Sequence, residues 1–170
     1  MNLESQPSAS SPTSPIELAR QMVDQVWNRG EEASSLMPHS FHWAEDSLVG
    51  PTRVSGMGGR SMLQEARANR RAFEDFEIKV TDAFEDDAGR ALLLWVARGT
   101  HDQEAQLGNN RLADGATLQP SGRSFSATGW FLVQTRDGLI TGVSPSWNPM
   151  TLLQQLAVAE LDVPVEEFLG

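Results

Sequence analysis

Apolar runs predict four β-strands in the second half of the chain. They occupy residues 76–81, 91–101, 123–134 and 139–147. The stretch 92–96 is continuously apolar, which is typical of a strand covered on both faces, and the same strand becomes polar towards His101. The turn sequence Asp137-Gly138 favours a tight hairpin between the last two strands. We therefore expect a meander of long antiparallel strands with residues 91–101 at its centre.

Apolar positions spaced three and four residues apart predict helices on both sides of these strands. The first helix has Ser14 as its N-cap, Pro15 in its first turn and Glu17 completing a capping box, and Gly30 ends it. Three more helices are predicted, at residues 31–37, from about 60 to 73, and from Pro149 onwards. Residues 46–59 contain four glycines and a proline, which favours an irregular loop.

Helices first and last around a strand meander indicate the α+β class. We expect a cone-shaped, curved antiparallel sheet wrapped around the N-terminal helices, with a C-terminal helix and an apolar cone in which a ligand would sit. The predicted organisation is a disordered tail (1–13), a single domain (14–160) with an insertion at about 103–119, and an acidic C-terminal tail (161–170).

Composition narrows the possible functions. The chain has 13 Lys plus Arg against 23 Asp plus Glu, a net charge of −10, which disfavours nucleic acid and anionic membranes as partners. It has no Cys, which excludes disulfides, thiolate metal ligands and a cysteine nucleophile. No apolar stretch approaches the ~20 residues needed to span a bilayer, and no secretory leader is visible. We expect a cytoplasmic protein.

Six short sequence strings, taken in order, resemble the SnoaL-like polyketide (ester) cyclase family. They are Val26-Trp27-Asn28-Arg29-Gly30, Gly59-Arg60, Ala97-Arg98-Gly99-Thr100-His101, Pro120-Ser121-Gly122-Arg123, Asp137-Gly138-Leu139-Ile140 and Leu152-Leu153-Gln154-Gln155-Leu156. The resemblance implies the nuclear transport factor 2-like cone and an intramolecular aldol ring closure on an aromatic polyketide ester. It also implies catalysis without a metal or an organic cofactor, and a homodimer formed through the open face of the sheet.

Carrying over the family's acid/base residues leaves few titratable groups. The aspartate that such proteins place after the last strand falls on Asn148, and a carboxamide cannot carry a proton at any useful pH. His101 is the candidate catalytic residue that remains, as a general acid/base or oxyanion donor, and its alternative role is a strand-end histidine bonded to the following loop. His42 is the second catalytic candidate. Asn148 is a candidate for substrate binding and, alternatively, only an N-cap.

Aromatic side chains are the other candidate ligand contacts. The predicted substrate-binding residues, besides Asn148, are Trp27, Phe41, Trp43, Phe73, Trp95, Phe125, Trp130 and Trp147. A flat aromatic ligand would suit such a lining, although aromatic residues at this spacing also build ordinary cores. No metal site is predicted, since the three histidines lack carboxylates at ligand spacing.

Three functions remain open. The leading hypothesis is an enzyme that moves protons on a hydrophobic carbonyl compound, by polyketide cyclisation or isomerisation. The first alternative is a hydrophobic-ligand binder that has lost the chemistry. The second is a cofactor-free hydrolase or dehydratase, which requires a buried carboxylate near His101. The candidates for that carboxylate are Asp24, Glu45, Asp46 and Asp102.

Overall fold

One six-stranded sheet and three α-helices form the part of the chain described by the computed structural model, residues 13–38, 42–47, 50–54, 58–104 and 119–156. The helices are α1 (Pro15–Met22), α2 (Gly58–Ala72) and α3 (Pro149–Gln155). The strands are β1 (His42–Ser47), β2 (Gly50–Val54), β3 (Glu77–Glu85), β4 (Arg90–Thr100), β5 (Ser124–Arg136) and β6 (Leu139–Trp147). Their order is β2-β1-β6-β5-β4-β3, and all neighbours are antiparallel except β1 and β6. The predicted α+β class is confirmed.

The N-terminal helix packs on the inner face of the sheet. Ser14 caps it by accepting a hydrogen bond from the Glu17 amide at 3.2 Å, and the helix continues as a π-helical segment, Val23–Asn28. Its buried side is formed by Leu18, Ala19, Met22, Val23, Val26 and Trp27. Because this stripe is continuous from α1 into the π-helical segment, both parts serve as one wall of the core.

Two predictions of local structure were wrong. Residues 31–37 form a single turn, in which the amides of Leu36 and Met37 donate to Ala33, and not a helix. The predicted loop 46–59 contains β2, which pairs with β1 at the edge of the sheet. A proline is tolerated there because an edge strand has no neighbour on one side.

Several predictions fall wholly or largely on residues that the structure does not describe. These are the tail at 1–13, the insertion at 103–119 and the acidic tail at 161–170. No helix within the described ranges is both long and apolar enough to cross a membrane.

Candidate functional site

A cavity of about 500 Å³, counting its open mouth, lies between the inner face of the sheet and the helices. It is lined by Trp27, Glu65, Asn69, Phe73, Phe76, Ile78, Trp95, Ala97, Phe125, Ala127, Phe131, Pro145, Trp147 and Leu152. The lining is mostly aromatic and aliphatic with two polar side chains, which is the composition typical of small-molecule sites. This cavity is the candidate functional site.

Small residues on the sheet create the space. Ala97 and Ala127 lie directly opposite each other on β4 and β5. One step along the sheet, Gly129 pairs with Trp95 on one side and with Trp147 on the other. Since directly paired residues share one face of a sheet, the two tryptophans flank a position that has no side chain. Glycine at position 129 therefore leaves room for the Trp95 indole to lie over the sheet.

Two groups of aromatic rings form these walls. Phe131 stacks on Trp27 at 5.6 Å between ring centroids and lies 5.3 Å from Trp95. At the other end, Phe73 meets Phe125 edge to face at 4.7 Å. Such contacts fix ring orientations, because tilted and edge-to-face pairs are favoured over other arrangements. The rings therefore support one another's orientation in the cavity walls.

Glu65 and Asn69 are the polar side chains in this lining, and they were missed by the sequence reasoning. They lie one turn apart on α2, so they share one face of the helix. A signal existed in the sequence: Asn69 falls three residues after Ala66 and four before Phe73, so it interrupts the apolar stripe of this helix. A polar residue that interrupts an apolar stripe marks a place where the stripe faces something other than packed side chains.

His101 lies behind the cavity wall. It is 1% exposed and is absent from the lining, and its ring centroid is 5.7 Å from that of Phe73, which does line the cavity. Its Nδ1 accepts from the Ser121 amide at 3.3 Å and lies 3.2 Å from the Ser121 hydroxyl oxygen. Nε2 is buried and has no hydrogen-bond partner within the described ranges. An Nδ1 that accepts an amide proton places the ring proton on Nε2, as in neutral imidazole.

The surroundings of His101 favour that neutral form. Burial lowers its pKa below the usual 6.5, and the Asp102 carboxylate and the Gln103 backbone act in the opposite direction. The backbone of His101 is fixed too, since its amide donates to Arg123 and its carbonyl accepts from Gly122. The histidine therefore closes the loop that precedes β5.

Asn148 lies where β6 ends and α3 begins. It is exposed, its carbonyl accepts from the Thr151 amide at 3.2 Å, and its side chain is absent from the cavity lining. Its neighbour Trp147 does line the cavity, with 39% of its surface exposed. Asn148 therefore lies outside the lining, between two residues, Trp147 and Leu152, that belong to it.

The structure brings together five of the predicted aromatic contacts in the lining. They are Trp27, Phe73, Trp95, Phe125 and Trp147. Trp130 follows Gly129 on β5 and projects from the opposite face of the sheet. Phe41 lies outside the described residues. For His42 and Trp43 only the backbone is described, which pairs in parallel with Gly142 and Val143 of β6.

Of the carboxylates considered for a hydrolase, Asp24 and Asp102 do not line the cavity. Asp24 is exposed and forms an ion pair with Arg29, and Asp102 is exposed and accepts from the Glu74 amide. The side chains of Glu45 and Asp46 lie outside the description. No group of three or more His, Asp or Glu side chains is close enough to hold a metal ion in the part of the chain that the structure describes.

Comparison with known proteins identifies the family and the fold. Residues 17–156 match the family model for SnoaL-like polyketide cyclases. No curated protein matches the chain. Among solved structures, AclR from Streptomyces galilaeus superposes with a TM-score of 0.66 at 20% identity, over 92% of this chain and 90% of AclR.

Two further structures support the same fold. IdmH from Streptomyces antibioticus has a TM-score of 0.63 at 21% identity, over 84% of this chain and 98% of IdmH. A protein with a ketosteroid isomerase-like fold from Catenulispora acidiphila has a TM-score of 0.60 at 13% identity, over 91% of this chain and 98% of that protein. At these identities the likeness is one of fold, so residue roles must come from the cavity itself.

Proposed function

The chain belongs to the SnoaL-like polyketide cyclase family, and we propose that it is an enzyme that moves protons on a hydrophobic carbonyl compound without a cofactor, by polyketide cyclisation or isomerisation. The observation that carries this proposal is the aromatic cavity of about 500 Å³. Its walls suit a flat, largely apolar molecule, and its polar side chains lie together on one helix. Family membership supplies the carbonyl chemistry, and the cavity supplies a place for it.

The cavity favours this chemistry on physical grounds. Proton removal beside a carbonyl needs a base in reach of the carbon and a hydrogen-bond donor for the oxygen that gains charge. Apolar walls exclude water, which strengthens both interactions. Aromatic faces hold a planar substrate in one orientation, which lowers the entropic cost of reaching the reactive geometry.

The test is hydrogen exchange at the carbon next to the carbonyl. The protein is incubated in D₂O with fused-ring aromatic β-keto esters, and deuterium incorporation and ring closure are followed by mass spectrometry. We expect catalysed incorporation that is lost in Ala127→Leu, because the larger side chain fills the floor of the cavity. Gln21→Ala, exposed on α1, is the control and should leave the rate unchanged. Wild-type protein that binds these esters without exchange would contradict an enzymatic function.

A ligand-binding module without catalysis is the second candidate. It is favoured by Asn148, an exposed carboxamide at the family's aspartate position. A binder should quench its own tryptophan fluorescence on adding a neutral aromatic probe such as N-phenyl-1-naphthylamine, because Trp27, Trp95 and Trp147 line the cavity. Tight binding in the absence of any deuterium exchange would favour this candidate over the enzyme.

We further propose that two copies of the chain associate through the outer face of the sheet. That face carries half-buried apolar side chains on β4 and β5, namely Leu92, Leu94, Val96, Trp130 and Leu132. Leu94 lies opposite Trp130, and Leu92 opposite Leu132, so the patch is continuous. Sedimentation should give twice the chain mass of 18.6 kDa, and Leu94→Glu should give the single mass. A monomeric wild type at micromolar concentration would rule the dimer out.

A further inference from the structure

Glu65 is the titratable side chain in the cavity lining that the structure describes. It projects from α2, whereas the family's aspartate position, Asn148, lies at the end of β6 and outside the lining. A carboxylate is therefore present in the cavity even though the expected one is absent. Its position is on the helical wall and not on the strand.

Asn69 lies one helical turn from Glu65, on the same face. Residues four apart on a helix have Cβ atoms about 5–6 Å from each other, so both side chains reach one functional group of a bound molecule. Both are only partly buried, while Phe73, the next lining residue on this face, is 1% exposed. Glu65 and Asn69 therefore lie towards the open side of the cavity, and the aromatic rings form its interior.

We propose that Glu65 is the acid/base group of this site and that Asn69 holds the carbonyl oxygen of the substrate. The ligand class is a flat, hydrophobic carbonyl compound with a C–H bond next to the carbonyl. This inference rests on the proposed function. It specifies which groups perform the chemistry and from which wall of the cavity they act.

The proton and electron balance is complete without any further reactant. The Glu65 carboxylate takes the proton from the carbon next to the carbonyl, and the C–H electron pair forms a C=C bond while the carbonyl electrons move to oxygen. The Asn69 amide donates a hydrogen bond to that enolate oxygen. The enolate carbon then attacks a second carbonyl of the same molecule; alternatively, in a substrate with a C=C bond conjugated to the enolate, the far carbon of that bond takes the proton and the double bond moves. In either case the proton held by Glu65 returns to the product.

The largely apolar lining means that a bound apolar ligand excludes water from the reacting atoms. Exclusion of water strengthens the electrostatic interactions between polar groups inside the cavity. The aromatic walls hold the plane of the ligand, so the helix needs to supply only the two polar contacts.

The catalytic test uses the deuterium-exchange assay with Glu65→Gln, Glu65→Asp and Asn69→Ala. We expect Glu65→Gln to lower the exchange rate at least about 100-fold while the Kd for the ester stays within about threefold, and Glu65→Asp to restore part of the rate. Gln64→Ala, an exposed neighbour on α2, is the control and should match wild type. Wild-type exchange in Glu65→Gln, with loss of exchange in His101→Gln, would overturn this assignment and leave the proposed function standing.

A binding measurement tests the same residue without turnover. 2-Naphthol and naphthalene differ by one hydroxyl, which a cavity carboxylate accepts as a charged hydrogen bond. Wild type should bind 2-naphthol about tenfold or more tightly relative to naphthalene than Glu65→Leu does. Equal preference in the two proteins would show that Glu65 does not contact the ligand, whatever the outcome of the exchange assay.

Discussion

The indole of Trp95 occupies the space directly above Gly129, its cross-strand partner on β5. A Cβ atom added at Gly129 would lie 2.4 Å from Cζ2 of Trp95 and 2.5 Å from the backbone oxygen of Ser146. Real Cβ contacts are essentially never that short. The position of Trp95 against the cavity floor therefore depends on glycine at residue 129.

Gly129→Ala should destabilise the protein by about 1–3 kcal/mol and weaken ligand binding, because the new methyl group forces Trp95 out of its place. Urea unfolding and fluorescence titration measure the two effects. Gln21→Ala, exposed on α1, should change neither by much. If Gly129→Ala kept both wild-type stability and affinity, the described packing of Trp95 would be wrong.

Periodicity predicts the long strands well because their inner faces are consistently apolar. It fails at β2, where glycines and Pro51 suggest a loop, because an edge strand needs pairing on one side only. Strand pairing across distant parts of the chain, which puts Trp95 beside Gly129, cannot be deduced from local pattern.

The site is predicted in part. Aromatic residues can be recognised as candidate ligand contacts from residue type alone. Five of the eight predicted aromatic contacts line the cavity. Glu65 was not found, because a charged residue on an amphipathic helix is ordinarily solvent-facing. For His101 both roles were foreseen, and its contacts with Ser121 show the bonded loop closure. A catalytic role for His101 stays a prediction, which the exchange rate of His101→Gln tests.

Asn28, at the end of the π-helical segment, holds the edge strand β3 through two hydrogen bonds. Its Nδ2 donates to the Ile78 carbonyl at 3.0 Å, and its Oδ1 accepts from the Ile78 amide at 2.8 Å. Asn28→Ala should lower the free energy of unfolding by about 1–3 kcal/mol, because both Ile78 backbone groups are partly buried. Asn28→Asp should be at least as damaging, since it keeps the acceptor but places a second oxygen against the carbonyl. Gln21→Ala, exposed on α1, is the control in urea unfolding. Equal stabilities of Asn28→Ala and wild type would show that these two hydrogen bonds do not stabilise the fold.

His101 should make stability depend on pH in a defined window. Because burial lowers its pKa in the folded protein, the unfolded chain binds the proton more readily. The contribution is therefore complete above about pH 6.5 and is lost as pH falls below 6.5 towards the lowered value, by at most about 1.4 kcal/mol per pH unit. His101→Gln should remove this slope in urea unfolding between pH 7.5 and 5.5.

Two carboxylates with lowered pKa values, Asp75 and Asp86, titrate below the pH window of His101. The pKa of Asp75 is lowered mainly by the Thr100 amide, and that of Asp86 mainly by the Arg90 side chain, both from 3.8. Their contributions are present above 3.8 and are lost only as pH falls below it. Ser121→Ala keeps the imidazole and should keep the wild-type slope. An unchanged slope in His101→Gln would mean that another group titrates between pH 5.5 and 7.5.

Gln155 holds α3 against β5 beside the cavity through two hydrogen bonds. Its Nε2 donates to the Ser126 carbonyl at 2.9 Å, and its Oε1 accepts from the Ser126 amide at 2.7 Å. Leu152 of the same helix lines the cavity, so displacement of α3 would widen the opening. Gln155→Ala should therefore speed both association and dissociation of N-phenyl-1-naphthylamine by up to about 30-fold, since two hydrogen bonds of roughly 1 kcal/mol each are lost. Stopped-flow fluorescence measures these rates, and the exposed neighbour Gln154 provides the matched control, Gln154→Ala.

A slower dissociation, or equal rates in the two variants, would show that ligands enter by another route. A loss of affinity with an unchanged association rate would instead mean that α3 contacts the bound ligand without controlling its entry. A helix that controls the opening must change the association and dissociation rates together.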